Sequence, residues 1–180
     1  MLMNAAESCL LIVDIQDRLL PAVQNRDTVV ANTQILLKAA AALDVPVLAS
    51  EQYPQGIGHT VAPVAALLPA DSVVEKVHFS CLAEDGFAQR LAGLGRRQAV
   101  VAGLEAHVCV LQTVEQLIDS AYDVFVVADA VSSRLPANHA RALHRLEAAG
   151  ATVVSTEMVV FEWLGRAGTT TFREVSRLIK

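Results

Sequence analysis

Six short runs of aliphatic and β-branched residues recur along the chain, and longer stretches with helical spacing separate them. The runs are SCLLIVD (Ser8–Asp14), VPVLASE (Val45–Glu51), SVVEKVH (Ser72–His78), QAVVAG (Gln98–Gly103), DVFVVAD (Asp123–Asp129) and ATVVST (Ala151–Thr156). Their nearly continuous apolar character predicts strands covered on both faces. Between them, Asp27–Leu43, His107–Ala121, Leu135–Ala149 and Thr170–Ile179 carry apolar residues at helical spacing, which predicts amphipathic helices. Asp27 or Thr28 suits a helix start, and Gly150 a helix stop. Strands alternating with helices dictate an α/β architecture of three layers, a six-stranded parallel sheet between two helical layers, with right-handed crossovers.

At 180 residues, the chain has the length of one domain at roughly 150 residues per domain, spanning residues 1–180. Apolar residues are 53% and charged residues 18% of it, which excludes intrinsic disorder. Aromatic residues are only 4%, so the core has to be built from Ala, Val and Leu. The net charge of −5 and the lack of any basic run speak against a nucleic-acid partner. No apolar stretch reaches the ~20 residues that a membrane span needs, and the segment MLMNAAES has no signal-peptide pattern. A cytoplasmic protein is therefore expected. Three cysteines without metal-site spacing make neither a disulfide framework nor a zinc site, and no cofactor motif is present.

Parallel sheets bind ligands beyond the carboxyl ends of their strands. There the chain places Asp14, then Glu51 and Gln52, then Lys76, then GLEAHVC with Cys109, and finally Asp129. Cys109 falls in the first turn of an expected helix, where the helix dipole favours a thiolate. Such a thiolate attacks a carbonyl, Asp14 takes the thiol proton, and Lys76 steadies the charges. Each residue also has a plainer reading. Cys109 serves equally well as a small buried residue, Asp14 as a helix cap, and Lys76 as a guard on a sheet edge. The loop EQYPQGIGHTVAP (Glu51–Pro63), with two glycines and two prolines, is where binding residues are expected.

Taken together, IVDIQ with Asp14, EKVHFS with Lys76 and GLEAHVCVLQTVEQLIDSAYDVFVVADAVSSR with Cys109 resemble the isochorismatase-like cysteine hydrolase family. SEQYPQGIG (Ser50–Gly58) together with DAVSSR is most similar to the isochorismatase domain-containing branch. The resemblance implies strand order 3-2-1-4-5-6, with Cys109 as nucleophile, Asp14 as general base and then acid, and Lys76 as their electrostatic partner. It also implies an oxyanion hole from the backbone amides of Glu105 and Cys109, and a cis peptide between Leu104 and Glu105. That strand order sets Lys76 two strands from Asp14, about 9–10 Å at ~4.8 Å per strand. The end of the third strand must then bend inward, or Lys76 must extend fully.

Departures from the family narrow the activity. Nicotinamidases of the family hold a metal through a DxH motif after the second strand. Here that segment reads SEQYPQGIGH and leaves only His59, so no metal is expected and nicotinamidase activity is disfavoured. True isochorismatases cleave a vinyl ether, several of them without a nucleophilic cysteine. Cys109 points instead to a small amide or ureido substrate. Gln52, Tyr53 and His59 are expected to line its pocket, and His107 either faces the pocket mouth or lies in solvent. Phe79 and Trp163 are expected to pack, Cys9 and Cys81 to be packed or semi-exposed thiols, and Asp129 and the serines of DAVSSR to satisfy loop backbone. The leading expectation is a metal-independent cysteine hydrolase that self-associates into a homo-oligomer, with Leu135–Ala149 or Phe172–Ile179 offering an interface. The alternative is a non-catalytic oligomeric scaffold on the same fold.

Overall fold

The computed structural model describes residues 1–179. Its centre is a six-stranded, all-parallel sheet made of β1 (Ser8–Val13), β2 (Val47–Gln52), β3 (Val73–Lys76), β4 (Gln98–Leu104), β5 (Asp123–Ser132) and β6 (Thr152–Val154). The strand order is β3-β2-β1-β4-β5-β6, as the family resemblance implies. The helices are α1 (Arg26–Ala42), the short α2 (Pro54–Ile57) and α3 (Ala62–Ala65), α4 (Asp85–Gly93), α5 (Leu111–Asp119), α6 (Pro136–Ala149), α7 (Thr156–Leu164) and α8 (Thr170–Val175).

Strand residues alternate between two cores, as the two-residue period of a strand requires. Leu10, Ile12, Val100, Ala102 and Leu104 join the core shared with α1 and α7. Cys9, Leu11, Val13, Ala99 and Val101 join the core shared with α4, α5 and α6. β1 and β4 are buried along their whole length, which explains why their runs show no polar alternation.

Several bounds differ from those read in the sequence. α1 begins at Arg26 after a left-handed Asn25, rather than at Asp27 or Thr28, whereas α6 stops at a left-handed Gly150 as expected. β5 runs on past Asp129 to Ser132, with a register shift against β4 between Val101 and Gly103. TEMVVFEWL, an apolar run the periodicity left unassigned, forms α7, whose first turn is capped by the Ser155 hydroxyl. Trp163 packs as expected and donates to Ser8 Oγ, but Phe79 is exposed, because it sits on the turn that wraps Lys76.

Two local features shape the carboxyl edge. Gly103 has φ +145°, and a Cβ there would strike the Val13 carbonyl oxygen, so only glycine lets β4 lie this close to the end of β1. Three non-glycine residues then turn the chain off the strand ends in the left-handed region, Asp14 (φ 53°), Tyr53 (φ 36°) and Glu105 (φ 36°). Such conformations are costly and gather where the surrounding structure enforces them.

Candidate active site

Asp14, Lys76 and Cys109 converge at the carboxyl edge of the sheet. Asp14 leaves β1, Lys76 ends β3, and Cys109 lies in a π-helical turn, Ala106–Val110, between β4 and α5. In that turn the Val110 N–H reaches back to the Glu105 carbonyl at 3.3 Å. Turns of this kind recur at functional sites because one extra residue re-aims the side chains.

The two-strand gap is closed by the Lys76 side chain. Its Nζ crosses the end of β2 and meets Asp14 Oδ2 at 2.8 Å, with both side chains fully buried. Nζ also donates to Gln52 Oε1 (2.6 Å), Phe79 O (3.0 Å) and His78 O (3.2 Å). The chain bends around the ammonium, and Glu84 holds that bend by accepting from the Val77 and His78 amides through Oε1. These amide donors, with His78, pull the Glu84 carboxyl down to about 2. Burying two charges is expensive, so a dry pair persists only when every remaining valence is met. The second oxygen of Asp14 is met by Ser50 Oγ at 2.7 Å.

Cys109 is 5% exposed. Burial first, then the Asp14 carboxylate within hydrogen-bonding reach, push its thiol far above the ordinary thiol range, and Lys76 offsets this only in part. Burial and the Asp14 charge therefore outweigh the helix dipole, and the resting group is a thiol rather than a thiolate. The arrangement is a protonated thiol held beside a buried carboxylate.

The Leu104–Glu105 peptide corrects the expectation of a cis bond. Among the described residues no peptide bond is cis, and the sharp exit from β4 is made instead by the left-handed backbone of Glu105. Its side chain is nine-tenths buried and reaches Arg134 Nε through Oε1 at 2.9 Å. Oε2 lies 3.1 Å from His107 Nδ1 but has no hydrogen bond of acceptable geometry, since that nitrogen is aligned with Ser133 Oγ at 2.9 Å. His107 is thus tethered and mostly covered rather than free in solvent.

The other expected pocket residues are placed differently. Gln52 is buried, and both ends of its amide are engaged, Oε1 by Lys76 and Nε2 by the Val77 carbonyl. It positions the lysine. Tyr53 is exposed and borders a groove of about 120 Å³ with Pro54, Gln55, Glu75, Val77 and Glu84. The His59 ring is in solvent, with Nδ1 bound to Glu51 Oε2 at 2.8 Å. No group of three or more His, Cys, Asp or Glu side chains among the described residues is placed to hold a metal ion.

Sequence reasoning passed over three members of the site. Ser50 bonds Asp14 from inside an otherwise apolar run. Cys81 donates to Ser50 Oγ at 3.3 Å. Gln16, fully buried, donates to the Gln52 and Gly58 carbonyls and accepts from the Gln52 amide, pinning the β2 loop to β1. The signal for Ser50 and Gln16 is a polar residue within one or two positions of a strand's carboxyl end. Cys81 had no signal of its own.

Comparison with known proteins decides the family. The isochorismatase domain model matches residues 8–158. The chain belongs to the isochorismatase family. It is 36% identical over 177 residues to the secreted isochorismatase effector Isc1 of Phytophthora sojae, covering 96% of this chain and 84% of that one. It is 34% identical over 178 residues to isochorismatase domain-containing protein 1 of Danio rerio, covering 99% of this chain but only 62% of the zebrafish protein. In structure it is similar to the MAR1 ribonuclease of Caenorhabditis elegans, with a TM-score of 0.94 at 31% identity, covering 99% of this chain and 92% of the other. Family membership supports a hydrolase of this superfamily, in the isochorismatase domain-containing branch. No helix among the described residues is long and apolar enough to cross a membrane. The Phytophthora relative is named as secreted, so membership of the family does not itself place a chain in the cytoplasm.

Proposed function

We propose that this isochorismatase-family chain is a metal-independent cysteine hydrolase of small amide or ureido compounds. The observation that supports it is the dry Lys76–Asp14 pair set against the Cys109 thiol. As sulfur attacks the substrate carbonyl carbon, the thiol proton passes to Asp14, and carbonyl π electrons move to oxygen. The backbone amides of Glu105 and Cys109 hold that oxyanion. Asp14 then gives its proton to the departing nitrogen, the C–N bond breaks, and a thioester remains on Cys109. Water attacks the thioester while Asp14 takes its proton, the C–S bond breaks, and the proton returns to sulfur. Lys76 keeps its charge throughout and prevents the carboxylate from drifting out of line.

A second reading, a scaffold with an idle site, draws support from the unactivated resting thiol. Mass spectrometry of the intact protein exposed to a panel of small amides, ureides and a short RNA separates the readings. We expect an acyl adduct and turnover with a carbonyl compound, both abolished by Cys109→Ala and by Asp14→Asn and both unchanged after dialysis against EDTA. RNA cleavage that survives Cys109→Ala, or no adduct across the panel, would sink the proposal. The overall negative charge and a site lysine fully engaged with protein acceptors argue against a phosphodiester substrate.

Self-association belongs to the same proposal, supported by Tyr53, Val77 and Phe79, three exposed apolar side chains at the β3 end of the site. Light scattering on a sizing column tests it. A cytoplasmic setting suits three free thiols, two of them beside the site.

A further inference from the structure

A general base must be stable in two forms, and Asp14 is fully buried in the resting chain, so the change has to be accommodated by its protein partners. As a carboxylate it accepts from Lys76 at Oδ2 and from Ser50 Oγ at Oδ1. Once it holds the thiol proton, one oxygen becomes a donor. Lys76 carries only donors, so it offers nothing to a proton on Oδ2. A proton on Oδ1, by contrast, finds an acceptor in Ser50 Oγ.

Ser50 is 1% exposed, so its own hydrogen then needs a new acceptor. Cys81 Sγ lies 3.3 Å from Ser50 Oγ and is fully buried. A thiol both donates and accepts, weakly in each sense. Behind it, Thr113 Oγ1, also fully buried, accepts from the Cys81 amide at 3.0 Å and offers a place for the displaced S–H. The fold thus lines up a row of rotatable groups, Asp14, Ser50, Cys81 and Thr113, supplied by the end of β1, by β2, by the turn after β3 and by α5.

We propose that Ser50 and Cys81 form a reversible hydrogen-bond relay that positions Asp14 and keeps it satisfied both as carboxylate and as acid. With Asp14 ionised, Cys81 donates to Ser50 and Ser50 to Asp14. With Asp14 protonated, Asp14 donates to Ser50 and Ser50 to Cys81. The only proton transferred is the one leaving Cys109; the relay hydrogens rotate and stay on their own atoms. The charged or titratable groups around Asp14 are Lys76 from β3, Cys109 from the π-helical turn and Cys81 from the turn after β3. Burial and the Asp14 charge lift the Cys81 thiol to about 11, so Cys81 stays protonated at neutral pH and able to take its part. The relay rests on the reading of Asp14 as the base for Cys109. It deepens that reading by giving roles to two residues that touch no substrate.

The test follows alkylation of Cys109 by iodoacetamide from pH 5 to 9, with peptide mass spectrometry as the readout. There the thiol sulfur displaces iodide, forming a C–S bond, while its proton goes to Asp14. The relay predicts that Cys81→Ala slows the reaction at neutral pH by roughly three- to tenfold, the size expected for one weak hydrogen bond. Cys81→Ser, whose hydroxyl also donates and accepts, stays within about twofold of the unaltered chain. Ser50→Ala moves the acid limb of the pH profile upward, because the carboxylate loses a donor, and Ser50→Thr restores it. In an Asp14→Asn background the two Cys81 variants become equal.

A packing role alone makes Cys81→Ala and Cys81→Ser alike and leaves the acid limb where it was. If Asp14→Asn slows alkylation but those two variants match, the relay fails and the base reading stands. If Asp14→Asn has no effect, the base reading itself fails. Cys109 that resists the reagent in the folded chain, yet reacts in urea, overturns both, since a nucleophile has to meet a small electrophile. Thermal melts of each variant confirm folding, and the conservative Ser50→Thr and Cys81→Ser keep the comparison open if an alanine variant does not fold.

Discussion

Asp14 and Glu105 are both buried carboxylates that turn the chain off a strand end in the left-handed region, yet their surroundings are opposite. Around Asp14 every valence is met: a fully buried ammonium on one oxygen, a serine on the other, and Gln52, His78 and Phe79 holding the ammonium in turn. Around Glu105 the partner is Arg134, 61% exposed, and the second oxygen has no well-formed hydrogen bond. The first region is over-determined and keeps one geometry. The second is under-determined, and it supplies the amide proposed for the oxyanion, where a small adjustment on substrate arrival is tolerable.

Stability measurements can break that contrast, and its largest consequence lies on the Asp14 side. Lys76→Met leaves a dry, uncompensated carboxylate and is expected to cost about 3–5 kcal/mol in urea unfolding. A loss below about 1 kcal/mol would show that water already reaches Asp14. Glu105→Gln removes charge from one hydrogen bond to an exposed partner and should cost about 1 kcal/mol in the same assay. If it matches Lys76→Met, the two regions are equally rigid and the contrast is wrong.

Smaller effects sharpen the picture. Glu84 holds the turn whose carbonyls surround Lys76, and its folded carboxyl titrates at about 2 against an ordinary 4.5. Between those values the unfolded chain binds more protons, so stability rises with pH there. It is fully present above about 4.5 and is lost as pH falls toward 2. Glu84→Gln should flatten that part of the urea midpoint against pH. Least of all, Arg134→Ala is expected to cost about 1 kcal/mol, because the guanidinium is 61% exposed and the buried Glu105 carboxylate keeps His107 at 3.1 Å, and part of that should be lost in high salt.

Much of the molecule was legible in advance. Continuous apolar runs such as QAVVAG are what a fully buried parallel strand requires, so β1 and β4 announced themselves. Strand ends carry the chemistry in such sheets, which made Asp14, Lys76 and Cys109 visible together, whereas the direct pairing of Lys76 with Asp14 across β2 is a tertiary fact. TEMVVFEWL escaped because a short apolar run broken only by Glu157 and Glu162 fits a buried helix as well as a strand. Gln52 was misplaced for a different reason: sequence puts it at the site but cannot tell a side chain that faces substrate from one that faces Lys76. The protonated Cys109 thiol was also out of reach, since burial and the Asp14 charge are tertiary quantities that outweigh a local helix-dipole argument.

The π-helical turn at Ala106–Val110 has a consequence for how this chain tolerates changes in length. An ordinary helix advances about 100° per residue, so removing one residue between Glu105 and Cys109 would swing the thiol away from Asp14 by that angle. The face formed by Val110, Val114 and Leu117, buried in α5 and the turn before it, would have to rotate with it or leave the sheet. Insertions and deletions are therefore forbidden in these few residues while remaining admissible in the exposed loops, and the spacing from β4 to the sulfur acts as a fixed ruler within the fold.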